Sequence, residues 1–211
     1  MRWYHTIAAM ILIFVLLWAV VAIQGLTPNT EEISLDQNQG RDVLMDLEQQ
    51  HREANPNMTG VLLVVSDFQC PFCAASAEAV ERFRMAYGSR FPVEFIHFPV
   101  HGEHAAAAAV CAERQGRFWE YHDLLFGGQR FDQSIYMEYA RTLELDMAAF
   151  TACLQQKGPQ QVLADMRLAQ MLGVRGTPTF VFIVDGNIGK LEGKVTLEQL
   201  AYAAERAGHK T

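Results

Sequence analysis

The chain of 211 residues carries a formal net charge of −7, and hydrophobic residues make up 50% of it. Its acidic and basic residues are interspersed without a basic stripe, which argues against a nucleic-acid-binding surface. Behind an apolar N-terminal stretch and a linker, about 150 residues remain, enough for one globular domain with its own core.

The N-terminal segment predicts a transmembrane helix. Ile7–Ile23 is an unbroken apolar run, and with its interfacial neighbours the predicted span covers residues 6–26, close to the length that a bilayer requires. Because Arg2 precedes the span and residues 24–40 contain acids but no Lys or Arg, residues 1–5 are expected in the cytoplasm. A cleaved signal peptide ending near residues 20–22 is the alternative, although the apolar run exceeds a usual signal core. Under either interpretation the rest of the chain is exported to a compartment where disulfides persist.

Residues 27–60 are predicted to form a polar linker. Pro and Asn residues mark turns near both of its ends, and only Asp42–Ala54 has a helical pattern. We therefore expect a tether that contains one short helix.

A pair of cysteines follows the first predicted strand. Val61–Ser66 is apolar and strand-like, and it leads into the run Asp-Phe-Gln-Cys-Pro-Phe-Cys at residues 67–73. A thiolate, not a thiol, attacks a disulfide, and the partial positive charge at a helix N-terminus lowers the pKa of a cysteine placed there. Pro71 suits the first helical position because its missing N–H would have no partner there. The pattern predicts Cys70 as the nucleophile and Cys73 as the resolving thiol.

Two other interpretations of this pair are half of a zinc site and an inert structural disulfide. A zinc site requires a second close pair of Cys or His ligands, whereas Cys111 and Cys153 stand alone in helical stretches. No metal site is therefore predicted. His97, His101 and His104 cluster after the second predicted strand and are expected to serve packing or the surface, with a position of one of them near the active site as the alternative.

The remaining elements complete an α/β pattern. Pro92–Phe98 is predicted as the next strand, which gives a βαβ start, and residues 101–173 look helical throughout, with Asp146 as one N-cap and Gly158 as a helix end. Thr179–Val184 and a strand after the turn at residues 185–187 form a hairpin. A capping box at residues 196–199 starts a closing helix. The predicted order is βαβ, helices, ββα.

Three segments together resemble the DsbA-like thiol-disulfide oxidoreductases of the thioredoxin superfamily. They are residues 66–73, the Phe-Trp-Glu-Tyr-His-Asp-Leu-Leu-Phe run at residues 118–126, and Gly-Thr-Pro-Thr at residues 176–179. The resemblance covers about residues 60–208. It implies a thioredoxin fold over residues 61–208, with a central mixed sheet and a helical insertion, and it implies no cofactor.

The resemblance also implies roles for residues far from the cysteine pair. Pro178 is expected to be a cis proline that faces the cysteines, and the backbone of Thr177 to pair with an extended substrate as an added strand. The alternative is an ordinary turn proline before an edge strand. In an oxidising compartment Cys111 and Cys153 are expected to form a structural disulfide, as a subset of the family does, with unpaired core thiols as the alternative.

Two residues depart from the family pattern. Phe72 replaces the histidine of the strongly oxidising relatives, and Val64 stands where many relatives have a buried acid that relays protons. We expect a single-pass protein of the bacterial inner membrane with its catalytic domain in the periplasm. The expected function of this domain is that of a dithiol oxidase, which acts on exported proteins and is reoxidised by a quinone-linked membrane partner. A reductase or isomerase served by a membrane reductase is the alternative, and a metal-delivery module that uses Cys70 and Cys73 is a third interpretation.

Overall fold

The computed structural model describes residues 37–128 and 130–208 of the chain. The predicted membrane span at residues 6–26 lies outside these ranges. Within them, none of the helices combines the length and the apolar character that a membrane crossing demands.

A four-stranded mixed sheet forms the centre of the domain. Its strands are β1 (Val61–Ser66), β2 (Val93–His97), β3 (Thr179–Val184) and β4 (Asn187–Glu192), in the spatial order β2-β1-β3-β4. β1 is parallel to β2, whereas the β1–β3 and β3–β4 pairs are antiparallel. Every residue of β1 and β3 is buried, which explains why both strands are near-continuous apolar runs.

Helices cover both faces of this sheet and form an insertion between β2 and β3. They are α1 (Gln37–Ala54), α2 (Pro71–Tyr87), α3 (His104–Glu113), α4 (Phe118–Gly127), α5 (Gln133–Thr142), α6 (Met147–Gln155), α7 (Lys157–Met171) and α8 (Leu197–Gly208). On one face, Phe83 of α2 and Leu200 of α8 join a buried cluster with Phe180 and Phe182 of β3. On the other face, Leu44 of α1 and Ala169 of α7 pack with the alternate side chains of the same strands.

The predicted order βαβ, helices, ββα is confirmed, and so are the mixed sheet and the helical insertion of a thioredoxin-like fold. The predicted caps also hold. Asp146 accepts hydrogen bonds from the backbone N–H groups of Ala148 and Ala149, and Thr196 and Gln199 bond reciprocally as a capping box.

One predicted helix end differs in the structure. Gly158 was expected to terminate α6, but it lies buried in the first turn of α7. A Cβ on Gly158 would sit 2.8 Å from the carbonyl oxygen of Ala107, so the glycine allows α7 to approach α3 closely.

The described part of the predicted linker also differs from the expectation. α1 begins five residues before the expected helix, at Gln37, and its Leu44 is fully buried. The buried Glu48 carboxylate accepts hydrogen bonds from the backbone N–H groups of Asp185 (2.7 Å) and Gly186 (3.0 Å) in the β3–β4 turn. Residues 37–60 therefore belong to the packed domain and are not a free tether.

Candidate active site

Cys70 occupies the N-cap position of α2, and Pro71 is the first residue of that helix. The backbone N–H of Cys70 donates to the carbonyl oxygen of Asp67 at 3.1 Å, and no side chain caps the helix. The Cys70 thiol therefore lies where the unpaired N–H groups of the first turn concentrate positive charge. Cys73 follows one turn later, and both cysteines are unbonded and buried, with 5% and 2% of their surfaces exposed.

The structure brings Thr177 and Pro178 to this pair from the far end of the chain. The Thr177–Pro178 peptide bond is cis, and Pro178 is buried. The Sγ atom of Cys70 lies 3.5 Å from the carbonyl oxygen of Thr177, to which the thiol donates. Because proline has no N–H, residue 178 offers the sulfur no competing backbone donor.

The two thiols differ in acidity because their surroundings differ. Burial by itself would raise the pKa of Cys70, but hydrogen bonds from the Thr177 side chain, from Cys73 and from the backbone of Phe72 favour the thiolate and lower the pKa below its ordinary value of 9.0. Burial dominates at Cys73 and raises its pKa to about 11. The arrangement therefore makes Cys70 the better nucleophile at neutral pH.

The two residues that depart from the family pattern have different surroundings. The Phe72 side chain is 61% exposed on the rim of the site, where it can contact a polypeptide but cannot supply a positive charge. Val64 is buried in the middle of β1, and its apolar side chain has no group that could carry a proton.

Asp67 is a site residue to which the sequence pattern assigned no role. It directly follows β1 and is 2% exposed. Its Oδ1 accepts from the backbone N–H of Gln69 at 2.9 Å, while Oδ2 accepts from the backbone N–H groups of Val100 (3.0 Å) and His101 (3.2 Å). The Nδ1 atom of His101 lies 2.8 Å from the same Oδ2. The sequence signal that could have indicated this role is a charged residue placed between the strand and the cysteine motif.

The histidines near the end of β2 have different surroundings. The His97 ring is buried among Phe68, Phe95 and Phe118, and this burial lowers its pKa to about 3. His101 and His104 are exposed. In the part of the chain that the structure covers, no cluster of three or more His, Cys, Asp or Glu side chains is arranged to hold a metal ion.

Cys111 of α3 and Cys153 of α6 form a disulfide in the structure. It closes a stretch of 42 residues and lies in the core of the insertion beside Tyr121 and Phe150. The bond is thus separate from the Cys70–Cys73 site and fastens two helices of the insertion.

A thioredoxin-like fold that places two free thiols at a helix N-terminus, against a cis proline, defines the class of thiol-disulfide oxidoreductases. The chain belongs to the family of the DSBA-like thioredoxin domain, whose model matches residues 61–205.

Solved structures of this class have similar architecture. A thioredoxin-like oxidoreductase from Silicibacter pomeroyi is 27% identical, with a TM-score of 0.65, over 74% of this chain and 91% of that chain. The thiol-disulfide exchange protein alpha-DsbA2 from Wolbachia pipientis, at 16% identity, has a TM-score of 0.62 over 79% of this chain and 96% of that chain. The second likeness shows the fold alone.

Relatives by sequence include much longer proteins. The Na(+)/H(+) antiporter NhaA 3 of Salinispora tropica is 34% identical over 151 residues, which are 67% of this chain and 22% of that protein. The Na(+)/H(+) antiporter NhaA 1 of Mycolicibacterium gilvum is 29% identical over 184 residues, which are 82% of this chain and 29% of that protein. The chain thus spans less than a third of the length of these relatives.

Proposed function

We propose that this protein is an exported, membrane-tethered dithiol oxidase that donates the Cys70–Cys73 disulfide to exported proteins. The difference in acidity between the two thiols carries the proposal. The contacts that lower the pKa of Cys70 stabilise the reduced, thiolate form of the pair. A more stable reduced form makes the corresponding disulfide a stronger oxidant.

The reaction proceeds through a mixed disulfide. A substrate thiolate attacks the sulfur of Cys70, the Cys70–Cys73 bond breaks, and the thiolate that leaves on Cys73 takes up a proton because its pKa is about 11. A second substrate thiolate then attacks the substrate sulfur of the mixed disulfide and releases Cys70 as a thiolate. Two electrons pass from the substrate to the cysteine pair, and a quinone-linked membrane partner removes them again.

Thr177 and Pro178 serve substrate binding in this proposal. The backbone carbonyl oxygen of Thr177 lies beside the reactive sulfur, and an extended substrate segment can pair with the backbone of this residue as a short added strand. Such backbone pairing fits an enzyme that acts on many sequences, since it does not depend on the side chains of the substrate.

The sequence supports the exported, tethered location. The apolar run with Arg2 before it and acids after it is typical of a single span whose C-terminal side lies outside the cytoplasm. The relatives named as antiporters support a location at the membrane, because their name denotes membrane transport and each contains a stretch similar to this domain.

A Cys73→Ala variant tests the function directly. Without the resolving thiol, Cys70 is expected to retain its substrates, so mixed disulfides should accumulate in the cell envelope and disappear on reduction. A Cys70→Ala, Cys73→Ala double variant is the control and should collect none. An envelope in which Cys73→Ala carries no mixed disulfide would contradict the proposal.

Phe72 favours a reductase or isomerase as the second candidate. It puts no cationic group between the two cysteines, so the thiolate of Cys70 lacks one stabilising charge and the disulfide is less oxidising. The resting redox state of the pair in cells, measured by thiol alkylation, separates the candidates. A mostly oxidised pair supports the oxidase, and a mostly reduced pair supports the reductase or isomerase.

A further inference from the structure

We propose that Asp67 is a positioning residue that holds residues 99–103 as a substrate-contacting rim beside Cys70. Residues 99–103 are part of the connection between β2 and α3 and are called the rim loop below. The inference rests on the proposed exchange with protein substrates. It adds a second substrate-contacting surface, which is separate from the Thr177–Pro178 segment.

The hydrogen bonds of Asp67 join two segments that are distant in sequence. Oδ1 fixes the turn before Cys70 by accepting from the N–H of Gln69. Oδ2 fixes the rim loop by accepting from the backbone N–H groups of Val100 and His101, and it lies within hydrogen-bond distance of the His101 Nδ1 atom. A buried carboxylate is costly unless several donors compensate for its lost hydration, and charge-assisted bonds of this kind are stronger than neutral ones. The Asp67 carboxylate therefore links the position of the rim loop to that of the turn before Cys70.

The rim loop also lies in direct contact with the cysteine turn. Gly102 has a φ of +142°, and a Cβ at this position would stand 3.0 Å from the side-chain nitrogen of Gln69. A glycine here satisfies both the backbone conformation and the close approach. Gln69 immediately precedes Cys70, so the rim loop approaches the residue next to the nucleophile.

Although it is held firmly, the rim loop is exposed to solvent and carries an apolar side chain. Val100 is 60% exposed and Phe72, on the other side of Cys70 in the sequence, is 61% exposed. The partner that fits these two side chains is an extended, unfolded segment with apolar residues next to its cysteine, because such a segment buries both apolar groups as its sulfur reaches Cys70. Folded domains keep their apolar residues inside and do not offer this contact.

The inference is tested by comparing a peptide substrate with a small one. Full-length protein, with oxidised glutathione as electron acceptor, oxidises either a dithiol peptide with Leu and Phe beside its cysteines or dithiothreitol. Asp67→Asn is expected to raise the KM for the peptide about tenfold, as the loss of one charge-assisted hydrogen bond would. The rate with dithiothreitol should change less than kcat/KM for the peptide, because so small a substrate makes no contact with the rim loop. Val100→Ser is expected to raise the peptide KM about threefold, since it removes apolar contact area only.

Two further variants keep the test decisive. Glu48→Gln is the matched control, because Glu48 is also a buried carboxylate that accepts two backbone N–H groups, but it holds the β3–β4 turn. It should lower the stability without changing the peptide KM. If Asp67→Asn fails to fold, the exposed variants Val100→Ser and His101→Ala decide the question, and wild-type peptide KM values for both overturn the inference.

The failure of this inference differs from the failure of the proposed function. Wild-type protein that oxidises neither the peptide nor dithiothreitol removes the proposed function and the inference together. Wild-type protein that oxidises both, with unchanged peptide KM values in the Asp67 and Val100 variants, overturns the inference alone. A loss with dithiothreitol equal to that with the peptide also overturns it, because the role of Asp67 would then lie in the cysteine pair and not in substrate contact.

Discussion

Cys70 and Cys73 are expected to titrate far apart although they lie one helical turn from each other. The reduced protein should show one thiolate midpoint below the ordinary value of 9.0, from Cys70, and a second near 11, from Cys73. The ultraviolet absorbance of the thiolate, followed against pH, measures both. A Cys70→Ser variant should lose the lower midpoint and keep the upper one. A single transition near 9.0 in the wild-type protein would refute the different roles given to the two thiols.

Asp165 of α7 offers a second pH-dependent test. Its carboxylate accepts from the backbone N–H of His97 at 3.1 Å and from the side chain of Gln161 at 2.8 Å, yet burial raises its pKa to about 6. Because the folded pKa is higher than the ordinary 3.8, the folded state holds the proton more tightly, and stability falls as the pH rises through this interval.

Asp165→Asn should therefore stabilise the protein at neutral pH. The amide keeps an acceptor for the backbone N–H of His97 and removes the free-energy cost of burying a charge. A rise of the pKa from 3.8 to about 6 corresponds to a cost of roughly 3 kcal/mol at most. The gain should vanish as the pH approaches 3.8, where the wild-type carboxyl is neutral in the folded protein. Urea unfolding at a series of pH values measures the difference, and the exposed carboxylate variant Glu138→Gln is the control. A gain that does not depend on pH would show that the charge of Asp165 is not its cause.

The sequence predicted the local geometry of the cysteine motif better than the contacts that support it. Cys70, Pro71 and Cys73 follow from local spacing, because a strand end and a helix start fix their geometry within a few residues. The partners of Asp67 lie in the rim loop, more than thirty residues further on, and they come into reach only because β2 pairs with β1 in one register, with His97 beside Ser66. Contacts that depend on strand register leave no local pattern in the sequence.

The disulfide between α3 and α6 should stabilise the helical insertion without affecting exchange. In the chain-entropy treatment, a closed stretch of 42 residues lowers the free energy of the folded state relative to the unfolded state by about 4 kcal/mol. A Cys111→Ala, Cys153→Ala double variant should lose about that much free energy of unfolding in urea. It should retain the wild-type exchange rate at temperatures where it is folded. An unchanged free energy of unfolding, or a lost exchange rate in a folded variant, would contradict this prediction.

Elements with strong periodicity were predicted well, whereas for α1 only residues 42–54 were predicted as helical and its packing against the sheet was missed. β1 and β3 are apolar runs bounded by turn residues, and α8 carries its own capping box, so each is recognisable alone. The first turns of α1 have no such signal. The helix belongs to the domain because Leu44 fills a gap against the sheet and Glu48 binds a turn that lies far along the chain, and both partners depend on the complete fold.

The proposed tether can be separated from the catalytic domain by removing residues 1–36. Residues 37–208 contain the sheet, both layers of helices and the cysteine site, so a chain that starts at Gln37 should fold and exchange disulfides at the full-length rate. If residues 6–26 span the membrane, the full-length protein should stay in the membrane fraction after an alkaline carbonate wash, while the shortened protein should remain in the supernatant. The mass of the N-terminal peptide recovered from cells distinguishes an uncleaved anchor from a signal peptide cut near residue 22. Full-length protein in the wash supernatant with Met1 still present would contradict both interpretations of the N-terminal segment.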